Sequence, residues 1–365
     1  MTAITSQAVE PRVRGVIPGR ALYVGKHGEL YISRKYSIYR SEDWGASWQL
    51  NCFVPSPVWE SAIARARLGA RLLRHYVAAF QILANGSRVA VARDGLYRAE
   101  GGETRMRRVF RVTRGSRPLN FAADGPRVLF GEYGDNFHST EVLIYVSQDY
   151  GRTFEVGFHF PKGDIRHVHN ILVDPDRDGY WVLAGDFGRE PGIGLLSKDL
   201  QSLEWLNRGN QRLRIVSALV EPDSLVCGTD SDFERNFIVR IDKKDGRIDD
   251  LVELEGSSLY AARFGPVRVI STCVEPNPAC PSRECSLYAS HNGVDWKRFA
   301  VHERDGYHPF FFQFGTIVLP YACNSEPRGI FSGQAISGLD DKVSFVDFSL
   351  REASPRAGDE ERKPP

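Results

Sequence analysis

Ser41-Glu-Asp-Trp-Gly-Ala-Ser-Trp48 and Ser147-Gln-Asp-Tyr-Gly-Arg-Thr-Phe154 are two copies of one pattern, S-x-D-x-G-x-[ST]-[WF]. Ser290-His-Asn-Gly-Val-Asp-Trp296 is one residue shorter, and Ser197-Lys-Asp-Leu-Gln-Ser-Leu-Glu-Trp205 is a looser version. The pattern describes a hairpin turn. The Asp carboxylate caps turn amides, the Gly takes a positive φ, and the aromatic residue starts the next strand and packs between sheets. The four serines are separated by two, one and two units of roughly 50 residues, a length that suits a four-stranded antiparallel unit.

Dividing the chain on that period predicts an all-β fold, a β-propeller of seven four-stranded blades, with six as the alternative count. The blades run Ala21–Val54, Val77–Val112, Leu119–Phe160, His167–Asn207, Arg214–Leu254, Leu259–His302 and His308–Phe348. Residues 1–20 are read as an N-terminal segment, 21–350 as one propeller domain and 351–365 as a charged, disordered tail. The 34 Gly, 20 Pro and 21 Phe suit many turns and aromatic strands. Pro57–Arg74 breaks the strand pattern. Its apolar Trp59, Ile63, Ala66, Ala70 and Leu73 recur at helical spacing, so the segment reads as one inserted amphipathic helix with Ser56 as N-cap. Its Arg65, Arg67, Arg71 and Arg74 make peripheral membrane or partner contact the alternative to packing on the propeller.

Composition narrows the function. Lys+Arg 47 against Asp+Glu 46 leaves no basic excess for nucleic acid. No apolar window crosses a bilayer, and the first residues lack a signal-peptide core, so a cytoplasmic protein with reduced thiols is expected. Cys273, Cys280 and Cys285 lack the paired C-x-x-C spacing of zinc sites. Phosphate-loop and nucleophile-elbow motifs are absent.

The turn motif joins the third and fourth strands, so chemistry is expected on the opposite face, where strand-two ends and strand-one starts converge on the channel mouth. Strand-two ends carry Glu132-Tyr133 with Asn136, then Asp186, Asp230 and Glu275. Strand-one starts carry Arg117, Arg166-His167-Val168-His169, Gln211, Arg214, Tyr260 and His308. His167 and His169 are two apart on a strand and point the same way, which suits proton transfer or a divalent metal completed by Gln211, His308 or Glu275.

The repeated turn resembles the Asp box of the sialidase-like, or BNR-repeat, propeller superfamily. The stretch Ile165–Asp186, with Gly131–Asn136, Gly228–Asp230 and Val274–Pro276, is similar to bacterial sialidase-like glycosyl hydrolases. That resemblance implies a carbohydrate-active enzyme acting on a glycan or polysaccharide. In a hydrolase, two of Glu132, Asp186, Asp230 and Glu275 act as general acid and as nucleophile or base. His167 and His169 then assist, and Arg117, Asn136, Arg166, Gln211, Arg214, Tyr260 and His308 bind substrate. No cofactor is needed in that scheme. Gly15-Val-Ile-Pro18-Gly-Arg20 departs from the Arg-Ile-Pro order of sialidases, and their arginine triad cannot be assigned by motif. Resemblance to seven-bladed polysaccharide lyases gives an alternative, with His, Tyr133 and Arg214 acting with or without a metal. A non-catalytic propeller that binds a glycan or a protein is the third reading.

Overall fold

Short apolar runs bounded by Gly, Asn and Asp form strands because each buries a face against the next sheet. In a computed structural model describing residues 11–275, 277, 279 and 281–349, these strands make seven sheets. The expected disordered tail 351–365 and Cys280 lie outside the described residues.

Six blades are consecutive four-stranded meanders, and their first strands are Arg20–Val24, Val77–Ile82, Ala122–Asp124, Val168–Val173, Ala218–Val220 and Tyr260–Phe264. The seventh is built from both ends of the chain. Gly315–Val318, Arg328–Gln334 and Lys342–Asp347 supply three strands, and Arg12–Pro18 supplies the outermost one, antiparallel with Arg12 opposite Asp347. The segment read from sequence as an N-terminal extension is thus partly a blade strand. Its partner lies more than 300 residues away, beyond any local pattern. Tyr321–Ala322 leaves the seventh blade to pair with Tyr23–Val24 of the first, and Tyr321 stacks on Tyr23 with 5.8 Å between ring centroids.

The core lies in the seams between blades. Trp181, Leu183 and Ile193 of the fourth blade meet Leu225, Cys227 and Val239 of the fifth, all buried. Val89, Val91 and Leu96 of the second likewise meet Val128 and Phe130 of the third.

The turn motif behaves as its chemistry demands. Asp149 Oδ1 accepts from Ser147 Oγ at 2.7 Å and from the amides of Arg152 and Thr153 at 2.9 and 3.0 Å. Asp43 repeats this with Ser41 and Ser47, and Asn292 stands in for the acid in the short copy. In the two full copies the residue before the Gly also takes positive φ, Trp44 at 57° and Tyr150 at 60°. In the loose copy Leu200 does so at 62° without a following Gly.

The insert differs from expectation. It forms two short helices, Val58–Ile63 and Arg67–Leu72, and no side chain caps the first one's Pro57 N-cap. Within the two helices the buried residues are charged. Glu60 holds His75 at 3.0 Å and Arg93 at 3.1 Å, while Arg71 binds Asp305 and the Phe312 carbonyl. Trp59, at 60% exposure, and Ile63, at 46%, face solvent. Distant partners, not the apolar stripe, decide which face packs. Among the described residues no helix is long and apolar enough to cross a membrane.

Candidate functional site

Strand alternation sorts the predicted residues. Tyr133 points to the axis, while its neighbour Glu132 points into the seam between the second and third blades. There Glu132 accepts from the Leu143 amide at 3.0 Å and the Tyr145 hydroxyl at 3.4 Å, and Arg114 lies 3.7 Å away. Glu132 is therefore not at the channel mouth. Asn136 ties its own loop to Thr140, and His308 is exposed at the start of the short helix Pro309–Phe312. Neither lines the channel. Arg166 stacks on Phe187 at the rim, with Glu190 3.6 Å away.

Seven of the others, Tyr133, His169, Asp186, Arg214, Asp230, Tyr260 and Glu275, line a central-channel cavity of about 970 Å³, while Arg117, His167 and Gln211 contact its lining residues Tyr76 and Asp186. Asp186 is the hub. His169 Nε2 lies 3.0 Å from its Oδ1, His167 Nε2 lies 3.3 Å from Oδ2, and Arg214 Nε lies 3.1 Å from Oδ1. Gln211 donates to the Asp186 carbonyl at 2.9 Å, a positioning contact, and itself accepts from Ser231. Burial alone would raise the Asp186 pKa, but the two imidazoles hold the carboxyl well below the usual range. Burial lowers His169, favouring the neutral ring. Tyr133 packs against His167 with centroids 4.7 Å apart, and burial raises its phenol.

Arg214 also reaches Asp232 at 2.8 Å and lies 3.9 Å from Asp230. Burial and the neighbouring Glu275 push Asp230 well above the ordinary carboxylate range. Burial, then the Asp232 charge, pushes Glu275 up to about 7. This wall thus holds one carboxylate kept ionised and two kept protonated into the neutral range. Three of the four acids expected at the mouth are there.

Across the channel lies a second wall, of which the sequence pointed to Arg117 but not to Arg20, Arg74 or Tyr76. Tyr76, ahead of the second blade's first strand, has the Arg20 and Arg117 guanidiniums each 4.4 Å from its ring centroid. Arg20 donates to Gln334 and Tyr260, yet its buried Nε has no hydrogen-bond partner among the described residues. Arg74 lines the same cavity. No carboxylate of the described residues is ion-paired with Arg20, Arg74 or Arg117. Burial would raise the Tyr76 pKa, but the three arginines outweigh it and lower it. The signal for Arg20 and Tyr76 is present in the sequence, since both occupy the strand-start positions that carry Arg214 and Tyr260 in later blades.

The mouth's apolar rim includes Phe310, at 77% exposure, whereas Tyr321 lies at the opposite end of the channel, beside Tyr23 and Val24. Among the described residues, the grouping with metal-ligand spacing is His167, His169 and Asp186, and no cysteine belongs to it.

No family model and no curated protein matches the chain. Its fold is similar to several solved structures. YCF48 bound to D1 peptide aligns at TM-score 0.55 and 12% identity, covering 92% of this chain and 97% of that one. YCF48 from Cyanidioschyzon merolae aligns at 0.55 and 12%, covering 93% and 98%. A chain of the mitotic checkpoint complex aligns at 0.56 and 9%, covering 96% and 99%. At such identities the likeness shows the fold alone, a seven-bladed β-propeller.

Proposed function

We propose that this protein is a binding propeller whose channel mouth receives an extended peptide segment of a protein partner, with a carboxylate of that segment seated against Arg20, Arg74 and Arg117. The carrying observation is the cationic wall. Three guanidiniums crowd one tyrosine with no ion-paired carboxylate among the described residues, an arrangement an anionic ligand would stabilise. The acidic wall opposite suits a cationic group on the same ligand, and exposed Phe310 supplies apolar contact at the rim. The similarity in fold to a propeller bound to a peptide supports the same reading.

The test is binding of a library of fluorescent peptides bearing free or amidated C-termini and acidic side chains. Peptides with a free carboxylate should bind, and Arg117→Ala should weaken them by about tenfold or more, as loss of a charge-assisted contact does. Equal binding of carboxylate and amide forms by wild type, or no binding at all, rejects the reading. Bound carboxylate should also raise the Tyr76 phenol's pKa, a change in the ultraviolet titration that Tyr76→Phe removes.

One observation favours a second reading, an enzyme acting on a glycan. The split between ionised Asp186 and protonated Glu275 is the division a general acid and its partner need. Incubation with acidic and neutral polysaccharides tests it by mass spectrometry. Products gaining water indicate hydrolysis, unsaturated products indicate elimination, and unchanged substrates reject it.

A further inference from the structure

The geometry points to a divalent transition-metal site formed by His167 Nε2, His169 Nε2 and the Asp186 carboxylate, open to the channel. The inference does not depend on a peptide ligand.

The first argument is tautomer control. His167 Nδ1 lies 3.0 Å from the Gly134 carbonyl and His169 Nδ1 lies 2.9 Å from the Ile215 carbonyl. Carbonyl oxygens only accept, so each Nδ1 carries the hydrogen and each Nε2 is left as a lone pair in the neutral ring. Backbone carbonyls that fix Nδ1–H in this way are the usual outer support of metal-ligating histidines.

The second argument is convergence. Both Nε2 atoms face the same carboxylate, at 3.0 and 3.3 Å. Lone pair against carboxylate is repulsive. Something positive must lie between them, either a proton on each ring or one cation shared by all three groups. The two rings lie with centroids 4.7 Å apart, and both are buried. Moreover, His167 Nε2 is buried and makes no well-aligned hydrogen bond among the described residues. A single ion satisfies both nitrogens and the carboxylate together.

The third argument is spacing. Two ligand atoms each about 2.1 Å from one ion, at right angles, are about 3 Å apart. The two nitrogen–oxygen separations match that edge, and all three ligand groups lie within 4.8 Å of one another. Two imidazoles and one carboxylate suit zinc, ferrous iron, manganese or cobalt better than calcium or magnesium. Among the described residues three protein ligands are present, and the cavity reaches His169, Asp186 and Tyr133, so the remaining positions open toward the channel. Arg214 and Gln211, bound to the Asp186 oxygen and carbonyl, hold the carboxylate in place.

The test uses the full chain, stripped with a chelator and titrated with Co²⁺ and with Zn²⁺ by calorimetry. Wild type should bind one ion per chain, and the cobalt form should show visible d–d bands. Asp186→Asn should lower affinity by about a hundredfold or more, whereas His138→Gln, in an exposed loop, should not change it. Thermal unfolding of each variant checks that it folds. Should Asp186→Asn unfold, proton NMR of cobalt-loaded wild type decides. Two strongly shifted, exchangeable Nδ1–H signals are expected, one per histidine. Absence of stoichiometric binding by wild type, equal affinity in folded Asp186→Asn, or cobalt-loaded wild type without those two signals would overturn the site.

Discussion

At the scale of single residues, Glu275 makes the acidic wall sensitive to pH. Its pKa in the folded chain is raised to about 7, above the roughly 4.3 of an unfolded glutamate. A group raised on folding contributes stability below its unfolded pKa and loses that contribution as pH rises through the folded one. Wild type should therefore lose thermal stability between about pH 4.5 and 7 through this group. Glu275→Gln should flatten that slope and unfold at a higher temperature than wild type at pH 8. An unchanged slope in the variant would show that Glu275 does not titrate as its surroundings dictate. His167, His169, Asp186 and Arg214 were legible from alternation and strand-end position alone. Glu132 was misplaced because adjacent strand residues face opposite ways, and only one of Glu132 and Tyr133 could reach the axis.

At the scale of elements, the turn motif made strand boundaries legible, since its capping chemistry is complete within eight residues. Asn236–Asp242 forms a strand even in a blade without the motif, because its apolar run Phe237–Val239 and Ile241 is bounded by polar residues. The helical insert was not legible in the same way. Its periodicity predicted burial of Trp59 and Ile63, while Glu60 and Arg71 are held by residues tens to hundreds of positions distant. Arg71 binds Asp305 and lies 3.4 Å from Asp340, whose side chain is 2% exposed. Removing one member of a buried charged cluster costs about 3–5 kcal/mol because the rest stays uncompensated. Arg71→Ala should release Arg67–Leu72 from the seventh blade, seen as faster tryptic cleavage at Arg65 and Arg67. Cleavage at the wild-type rate would place the anchoring elsewhere.

At the scale of the whole molecule, the repeat period implied one ring of blades, and seven sheets form it. The count of seven followed from spacing. The closing strand did not, because Arg12–Pro18 is exposed over most of its length and carries Arg12, Arg14 and a kinked Gly15 at φ 59°. Deleting residues 1–18 should leave Lys342–Asp347 as an open edge. Lower thermal stability and concentration-dependent association are the expected result, measured by unfolding scans and light scattering.

That closure also has a mechanical side. Arg12 lies opposite Asp347, so both chain ends leave the ring at the same end of one antiparallel ladder. Tension applied between the ends would peel the ladder rung by rung, one hydrogen-bonded pair bearing the load at a time. Tension applied through two points on opposite blades would shear many rungs together. The ring should thus open at low force when pulled by its termini and resist when pulled across its diameter.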